Sequence, residues 1–204
     1  MTRITVIDHG AGNLVSIAQG LRRAGAEVNV AATPGEIDGA DGLVLPGVGT
    51  TGAAMERLEE AGFVTPLRRW ERPILGICVG LQLFFDVSEE DGSHALGLIP
   101  GAVRRLEGAP LLPHIGWNDV VLHDDPLFAG IPSGSTFYFV HSFAPVPDDP
   151  GVVIGESAYG KPFVAAARSG SRVGVQFHPE RSGDAGLRIL ANFVATAGGD
   201  GDVA

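Results

Sequence analysis

The sequence has almost no cysteine or lysine and no long apolar run. Cys78 is the one cysteine and Lys161 the one lysine among 204 residues. A single thiol cannot close an intramolecular disulfide, and a chain of this length buries about 70% of its unfolded surface without that crosslink. No apolar run approaches the roughly 20 residues of a membrane-spanning helix. These absences argue against a disulfide scaffold and a membrane protein, and they predict a cytoplasmic location.

Positive charge is scarce as well. Lys and Arg together number 14 against 24 Asp and Glu, so the formal net charge is -10 at pH 7. Binding to nucleic acid requires clustered Lys and Arg that neutralise phosphates. The acidic balance therefore argues against a nucleic-acid partner.

The first 86 residues alternate β-rich runs with helical patterns, which is typical of a parallel sheet with crossover helices. The predicted strands cover residues 3–8, 27–30, 41–45 and 74–77. The predicted helices cover residues 13–24, 53–61 and 80–85. We expect Asn13 to cap the first helix and Gly25 to end it.

The second half of the chain has a different pattern. Short strand-like runs lie between Gly, Pro and Asp residues at 101–107, 114–122, 135–143, 151–157 and 172–177, and they favour antiparallel hairpins. A last amphipathic helix is predicted over 185–197. We therefore expect an α/β fold with an open, mostly parallel but mixed sheet and flanking helices. It would form one domain over residues 1–198, with a flexible tail at 199–204.

Cys78 is the first candidate for chemistry because it lies between a predicted strand and a predicted helix. The free amides and the dipole of a helix N-terminus stabilise a thiolate, which is the reactive form of cysteine. Gly76 and Gly80 flank the residue and permit a tight strand-to-helix turn, as glycines do around the serine of hydrolases. The alternative is a structural cysteine, since free cysteines are often buried.

A nucleophilic cysteine needs a base, and His178 has the best position among the histidines. It follows the predicted strand 172–177, Pro179 restricts its backbone, and Glu180 lies two residues further on, close enough to orient an imidazole. A solvent-facing histidine at a strand end is the alternative. His141, at the end of another strand-like run, is the second candidate base.

The turn Pro46-Gly47-Val48-Gly49 can supply an N–H donor for an oxyanion, although such a turn is also common without any function. It lacks the GK[ST] ending of a phosphate-binding loop, so nucleotide binding is disfavoured. There is no second cysteine and no pair of histidines at helical ligand spacing. The sequence therefore predicts no metal site.

Three ordered motifs resemble the class I, triad-type glutamine amidotransferases: GICVGLQ (76–82), PGVG (46–49) and GVQFHPE (174–180). Three further motifs, IDHGAGNLVS (7–16), HIGWN (114–118) and YFVHSF (138–143), resemble the glutaminase subunits of imidazole glycerol phosphate synthase. The resemblance implies a three-layer, flavodoxin-like amidotransferase fold. At position 9 a His and at position 181 an Arg replace the usual Tyr and Lys; Arg keeps the charge and changes the geometry.

The resemblance implies a role for each matched residue. Cys78 would be the nucleophile, His178 the base and later the acid, and Glu180 the orienting carboxylate. The amides of Val48 and Val79 would form the oxyanion hole. Glutamine would be held by Gly47, Gly49, Gln82, Glu90, Ser142 and Phe143. The chain would need no cofactor.

The same resemblance implies a heterodimer with a (β/α)8-barrel cyclase subunit. Glutamine would be hydrolysed in this chain, and the ammonia would pass to the cyclase for histidine biosynthesis. Asn13, Trp117 and Arg181 would contact that partner. Three alternatives stay open: an amidotransferase subunit of another pathway, a flavodoxin-like hydrolase or redox-responsive cysteine protein, and a noncatalytic binding module.

Overall fold

The strands within residues 1–199 form one large sheet and one small sheet in a computed structural model. The structure describes residues 1–199, so residues 200–204 of the expected tail lie outside it. The strands are β1 (Arg3–Ile7), β2 (Glu27–Ala31), β3 (Gly42–Gly47), β4 (Ile74–Cys78), β5 (Val87–Ser88), β6 (Gly101–Arg105), β7 (His114–Leu122), β8 (Ser135–His141), β9 (Phe143–Pro147), β10 (Val153–Tyr159), β11 (Lys161–Ser169) and β12 (Arg172–Val175). The helices are α1 (Leu14–Arg23), α2 (Thr51–Glu60), α3 (Val64–Arg68), α4 (Val79–Gln82) and α5 (Gly183–Ala197), and short 3₁₀ turns cover Pro34–Ile37, Pro126–Phe128, Pro150–Val152 and Pro179–Arg181.

The large sheet has nine strands in the order β2-β1-β3-β4-β12-β11-β10-β7-β8. The strands from β2 to β12 run parallel to one another. The strands from β11 to β8 are joined by antiparallel pairs. The small sheet has the order β5-β6-β9. The expected mixed α/β fold with a mostly parallel half is therefore confirmed.

The strand order reverses between β1 and β3. The connection through α1 leads outward from β1 to β2, and the connection through α2 leads the other way, from β3 to β4. Because such crossovers are right-handed, α1 and α2 lie on opposite faces of the sheet. Ligand sites of open α/β sheets lie beyond the carboxyl ends of the strands at this kind of reversal.

The first helix shows why the local sequence folds as predicted. Oδ1 of Asn13 accepts a hydrogen bond from the amide of Ser16 at 3.4 Å and so caps α1. Ile17, Ala18 and Leu21 are buried on one face of the helix. Gly25 follows with a φ of 91°, which favours glycine.

The structure differs from the predictions at several elements. The helix predicted over residues 80–85 ends at Gln82. After this residue the hydrogen bonds change to the 3₁₀ pattern, in which the amide of Phe84 donates to the carbonyl of Leu81, three residues back. The run at 135–143 is divided between β8 and β9 in different sheets. Strand β11 had not been predicted. Strand β12 pairs antiparallel to β11 but parallel to β4, so this run of the second half also extends the parallel part of the sheet.

The core is built from the apolar strands and the inward faces of the helices. Phe137 and Phe177 stack with ring centroids 4.1 Å apart, and both are fully buried. That stack places the end of β12, from which the chain runs to His178, against β8. No helix in residues 1–199 is long and apolar enough to cross a bilayer.

Candidate active site

Cys78 lies on a sharp turn between β4 and α4. Its φ is 56° and its ψ is -111°, and it is the one non-glycine residue with a positive φ among residues 1–199. A side chain at Gly76 would place its Cβ 2.6 Å from the carbonyl oxygen of Gly80, and one at Gly80 would lie 1.8 Å from that of Leu45. The two glycines are therefore needed for the close approach of α4 to the sheet.

His178 and Glu180 lie at the end of β12, next to this turn. Nδ1 of His178 is 2.9 Å from Oε1 of Glu180, and His178 lines the same cavity as Cys78. The backbone around His178 is fixed by two contacts: its amide donates to the carbonyl of Tyr138 at 2.9 Å, and its carbonyl accepts from the hydroxyl of Ser182 at 2.6 Å. The structure thus brings the three predicted triad residues together.

The electrostatics favour a protonated imidazole at this position. Burial alone would lower the pKa of His178, but the neighbouring Cys78 and the hydrogen-bonded Glu180 outweigh burial and raise the pKa to about 10. The side chain of Glu180 is only 1% exposed. A cation beside a sulfur nucleophile favours the thiolate, so the arrangement suits attack on a carbonyl carbon.

The predicted oxyanion residues lie on either side of the cysteine. Val79 is the first residue of α4, where amides lack an intrahelical acceptor. Val48 follows β3, whose last residue, Gly47, is in register with Cys78. A Cβ on Gly47 would lie 2.8 Å from Cβ of Val79. The turn after β3 and the first residue of α4 therefore approach each other closely.

A cavity of about 280 Å³ opens above Cys78, a volume at the lower end of small-molecule sites. It is lined by Val48, Gly49, Cys78, Val79, Gln82, Glu90, Pro113, Val140, His141, Ser142, Phe143, His178 and Arg181. Most of the residues predicted to act on or bind glutamine thus share one cavity. Gly47 and Glu180 lie behind its wall, in contact with lining residues.

Gln82 and Gln176 form a buried amide pair beneath this cavity. Nε2 of Gln82 donates to the carbonyl of Phe143 and to Oε1 of Gln176, both at 3.0 Å. Nε2 of Gln176 in turn donates to Sγ of Cys78 at 3.6 Å. The sequence had assigned no role to Gln176. A polar residue in an otherwise apolar strand run was the available signal, and its burial is complete.

Glu90 contributes a carboxylate to the lining of the cavity. Burial raises its pKa, and the neighbouring Asp91 raises it further. A positively charged group bound beside the carboxylate would compensate this cost. The position therefore suits the ammonium group of an amino acid.

His141, the second candidate base, also lines the cavity. Its Nδ1 is 2.9 Å from the carbonyl of Phe143, which accepts a hydrogen bond, and its Nε2 is 3.2 Å from Nδ1 of His114. Burial, together with repulsion by His114 and His178, lowers its pKa to about 4. Both ring nitrogens are engaged, so this imidazole is less suited to proton transfer than that of His178.

The three residues predicted to contact a partner are exposed. Trp117 is 57% exposed, and its ring meets that of Tyr138 edge-on with centroids 6.0 Å apart. The guanidinium carbon of Arg181 lies 4.0 Å from the centroid of the Tyr138 ring. These side chains form a continuous surface from the rim of the cavity to β7. Asn13 lies at the start of α1, beyond the carboxyl end of β1.

The side chains of the site do not form a metal centre. Within residues 1–199, no group of three or more His, Cys, Asp or Glu side chains is placed to hold an ion. The polar side chains of the cavity carry two imidazoles, a carboxylate, an amide, a hydroxyl, a guanidinium and a thiol. These groups suit acyl transfer through cysteine.

Comparisons with known proteins agree with this geometry. The family model for glutamine amidotransferase class-I matches residues 5–197. The imidazole glycerol phosphate synthase subunit HisH of Moorella thermoacetica is 48% identical over 198 residues, which cover 95% of this chain and 94% of that protein. The HisH subunit of Halobacterium salinarum is 46% identical over 201 residues, with 94% of this chain and 92% of that protein covered.

Solved structures share the fold. A glutamine amidotransferase matches with a TM-score of 0.73 at 20% identity, covering 95% of this chain and 98% of its own. PurLQS from Thermotoga maritima matches with a TM-score of 0.71 at 20% identity, and the match covers 94% of this chain and 97% of that chain. The chain therefore belongs to the class I glutamine amidotransferases and, within them, to the HisH subunits of imidazole glycerol phosphate synthase.

Proposed function

We propose that this chain is the glutaminase subunit of an imidazole glycerol phosphate synthase and acts in histidine biosynthesis. It hydrolyses glutamine to glutamate and ammonia. The observation that supports this function most directly is that Cys78 and His178 line one cavity while Glu180 bonds His178 from behind, in a chain of the HisH family.

The reaction follows from the chemistry of these groups. The thiolate of Cys78 attacks the carboxamide carbon of glutamine, and a C–S bond forms while the carbonyl π electrons move to oxygen. The amides of Val48 and Val79 stabilise that oxyanion. His178 donates its proton to the leaving nitrogen, the C–N bond breaks, and ammonia departs. Glu180 keeps the imidazole oriented throughout.

Hydrolysis of the thioester completes the cycle. His178, now neutral, removes a proton from water, and the water oxygen attacks the γ-glutamyl carbon. The C–S bond then breaks, and glutamate and the Cys78 thiolate are released. His178 is again protonated, as its raised pKa of about 10 requires near neutral pH.

Glutamine binding is assigned to the remaining cavity residues. The carboxylate of Glu90 pairs with the α-ammonium group. The backbone at Gly49, Ser142 and Phe143 supplies hydrogen bonds to the head group. Gln82 bonds the carbonyl of Phe143 at 3.0 Å, so it also fixes the wall that contacts the substrate. Gly47 contributes by leaving room for the approach of Val79.

The partner in this proposal is a (β/α)8-barrel cyclase subunit. Ammonia is lost to bulk water unless it is consumed at once, so a second subunit must receive it. The cyclase uses it to convert a phosphoribulosyl aminoimidazole-carboxamide nucleotide into imidazole glycerol phosphate and aminoimidazole carboxamide ribotide. Asn13, Trp117 and Arg181 lie on the surface that meets this partner.

Two further assignments belong to the proposal. The protein works in the cytoplasm, where the thiol of Cys78 stays reduced. Residues 1–198 form one amidotransferase domain, supported by one cluster of buried residues that extends from Ile4 to Val194.

The central experiment measures glutamate release from glutamine. The chain is assayed alone and then with the cyclase subunit and its acceptor nucleotide. We expect weak activity alone, a rise with the partner, and none in Cys78→Ala. The Cys78→Ala complex should still make imidazole glycerol phosphate from added ammonia. Activity that does not respond to the partner would indicate another pathway, and no activity under any condition would favour a hydrolase or a binding module.

The partner surface has its own test. Trp117→Ala and Arg181→Ala should weaken assembly and glutaminase stimulation more than they change the KM for glutamine. Val121 is a matched control, because it is 58% exposed on the same strand and has no aromatic contact with Tyr138. Unchanged assembly and stimulation in both variants would remove these residues from the interface.

A further inference from the structure

His9 is a buried histidine that the mechanism does not use. It follows β1, is only 4% exposed, and its Nε2 lies 2.8 Å from the carbonyl oxygen of Pro46. Pro46 is the second-last residue of β3 and begins the turn that carries Val48. His9 does not line the glutamine cavity. Its contact is therefore with the backbone of the turn and not with the substrate.

The geometry points to His9 as a positioning residue for the glutaminase reaction: its hydrogen bond to Pro46 holds the turn that presents the Val48 amide to the oxyanion. This inference rests on the proposed function of the chain. The bond fixes the Pro46–Gly47 peptide, which is the peptide immediately before the one that contains the Val48 N–H. Rotation of the fixed peptide would carry the Val48 amide away from the carbon attacked by Cys78.

The surroundings of the turn support this role. On one side, a Cβ on Gly12 would lie 3.1 Å from Cβ of Pro46, so the loop after β1 packs closely against the turn. On the other side, Gly47 approaches Val79. Beyond these contacts Val48 is 42% exposed and Gly49 has a φ of 88°. The turn is thus held tightly at Pro46 and Gly47 and is freer at the residues that follow.

The expected protonation state of the His9 imidazole agrees with a hydrogen bond that His9 donates to the carbonyl of Pro46. A carbonyl oxygen only accepts, so Nε2 carries the hydrogen. Nδ1 is buried and has no hydrogen-bond partner among the described residues. Burial lowers the pKa of His9 and the nearby Arg57 lowers it further, against the raising effects of the Pro46 bond and Asp8. The neutral imidazole with hydrogen on Nε2 is the form that fits the contact with Pro46.

The kinetic test compares two replacements in the complex with the cyclase subunit and its nucleotide. His9→Phe keeps a ring of similar size without the donor, and His9→Gln places an amide N–H near the position of Nε2. We expect His9→Phe to lower kcat for glutamine about tenfold with KM changed less than about twofold. The reason is that His9 positions the Val48 amide, which contacts the oxyanion in the transition state and not in the bound substrate. His9→Gln should recover most of kcat. The exposed His94→Phe serves as the matched control.

A pair of thiol probes separates positioning from general damage. Glutamate γ-semialdehyde adds to the Cys78 sulfur and forms a tetrahedral adduct whose oxygen needs the oxyanion donors. Iodoacetamide alkylates the same sulfur by displacement of iodide and needs none. His9→Phe should bind the aldehyde about tenfold more weakly and react with iodoacetamide at the wild-type rate. Equal losses with both probes, or a wild-type kcat in His9→Phe, would overturn the inference.

The outcomes distinguish this inference from the proposed function. A wild-type complex that releases no glutamate would contradict the function itself, whereas an active wild type with an unaffected His9→Phe contradicts only the role of His9. If His9→Phe does not fold, ¹⁵N NMR of the wild-type histidines provides a separate readout. The Nε2–H tautomer is expected for His9, and a hydrogen on Nδ1 would overturn the inference.

Discussion

Nδ1 of His178 lies 2.9 Å from Oε1 of Glu180, in a pocket where only 9% of the His178 side chain and 1% of the Glu180 side chain are exposed. Only Pro179 separates them in the sequence, and the 3₁₀ turn Pro179–Arg181 folds the carboxylate back toward the imidazole. The pair therefore depends on local backbone geometry as well as on charge. It links catalysis to the pH dependence of folding.

Replacing Glu180 by Gln should reveal this link. The pKa of His178 rises from an ordinary value of 6.5 to about 10 in the folded chain. The stabilisation from the charged imidazole is therefore complete below pH 6.5 and is lost as the pH rises through about 10. The stability difference between wild type and Glu180→Gln should be largest near pH 6 and shrink toward pH 10, as measured by urea unfolding.

Glu59→Gln is the control for this experiment, since Glu59 is exposed on α2. Its effect on the free energy of unfolding should be small at every pH. A wild-type advantage over Glu180→Gln that is the same across the whole range would contradict a charged His178–Glu180 pair.

The backbone at Cys78 makes a second prediction. A φ of 56° with a ψ of -111° is a strained conformation for any residue with a Cβ, at a cost of about 1–3 kcal/mol. Glycine removes that cost but adds about 0.5–1 kcal/mol of backbone entropy. Cys78→Gly should therefore be more stable than Cys78→Ala by about 1 kcal/mol in urea unfolding. Both should lack glutaminase activity.

The comparison with another buried site provides the control. Ala54 lies within α2 and is fully buried. Within a helix alanine is more stabilising than glycine, so Ala54→Gly should be less stable than wild type by about 1 kcal/mol or more. If Cys78→Ala proves more stable than Cys78→Gly, the turn is not strained at the cysteine.

The sequence predicted the parallel half of the fold well because its signals are local. The strand runs at 3–8 and 74–77 are rich in isoleucine, leucine and valine, Pro73 delimits the second run, and Asn13 and Gly25 mark the ends of α1. Strand β11 was missed because PFVAAA within Lys161–Ser169 combines a proline with a run of alanines, which are poor strand signals. Its strand conformation comes from pairing with β10 and β12 on both sides.

The candidate site was predictable where it lies on motifs and was not where it depends on contacts between distant segments. Cys78, His178 and Glu180 were identified from their positions at strand ends. The bond between Gln82 and Gln176 joins residues 94 positions apart, and the bond from His9 to Pro46 joins residues 37 apart. No local pattern specifies such pairs, because they are set by which strands become neighbours in the sheet.

Gly80 should tolerate no side chain. A Cβ there would lie 1.8 Å from the carbonyl oxygen of Leu45, which is backbone and cannot rotate away. Gly80→Ala is expected to lose more than about 3 kcal/mol of stability or to fail to fold. A Cβ on Gly35 would have no other atom within 4 Å, and Gly35 has no positive φ, so Gly35→Ala should be neutral or slightly stabilising. Similar melting temperatures for the two variants would show that α4 is not so close to β3.

The last prediction concerns the ion pair between Arg168 and Asp125, which ties β11 to the 3₁₀ turn Pro126–Phe128. The guanidinium makes two hydrogen bonds to the carboxylate, at 2.6 and 2.8 Å, and the Asp125 side chain is only 4% exposed. Arg168→Met leaves a buried carboxylate without its partner and should cost about 3 kcal/mol in urea unfolding. Lys161→Met breaks an exposed pair with Glu107 and should cost far less than Arg168→Met, because exposed ion pairs contribute little to stability. Added salt should weaken the Lys161 effect and leave the Arg168 effect largely intact, because buried charges are screened less. Equal costs for the two variants would mean that solvent reaches Asp125 in the folded protein.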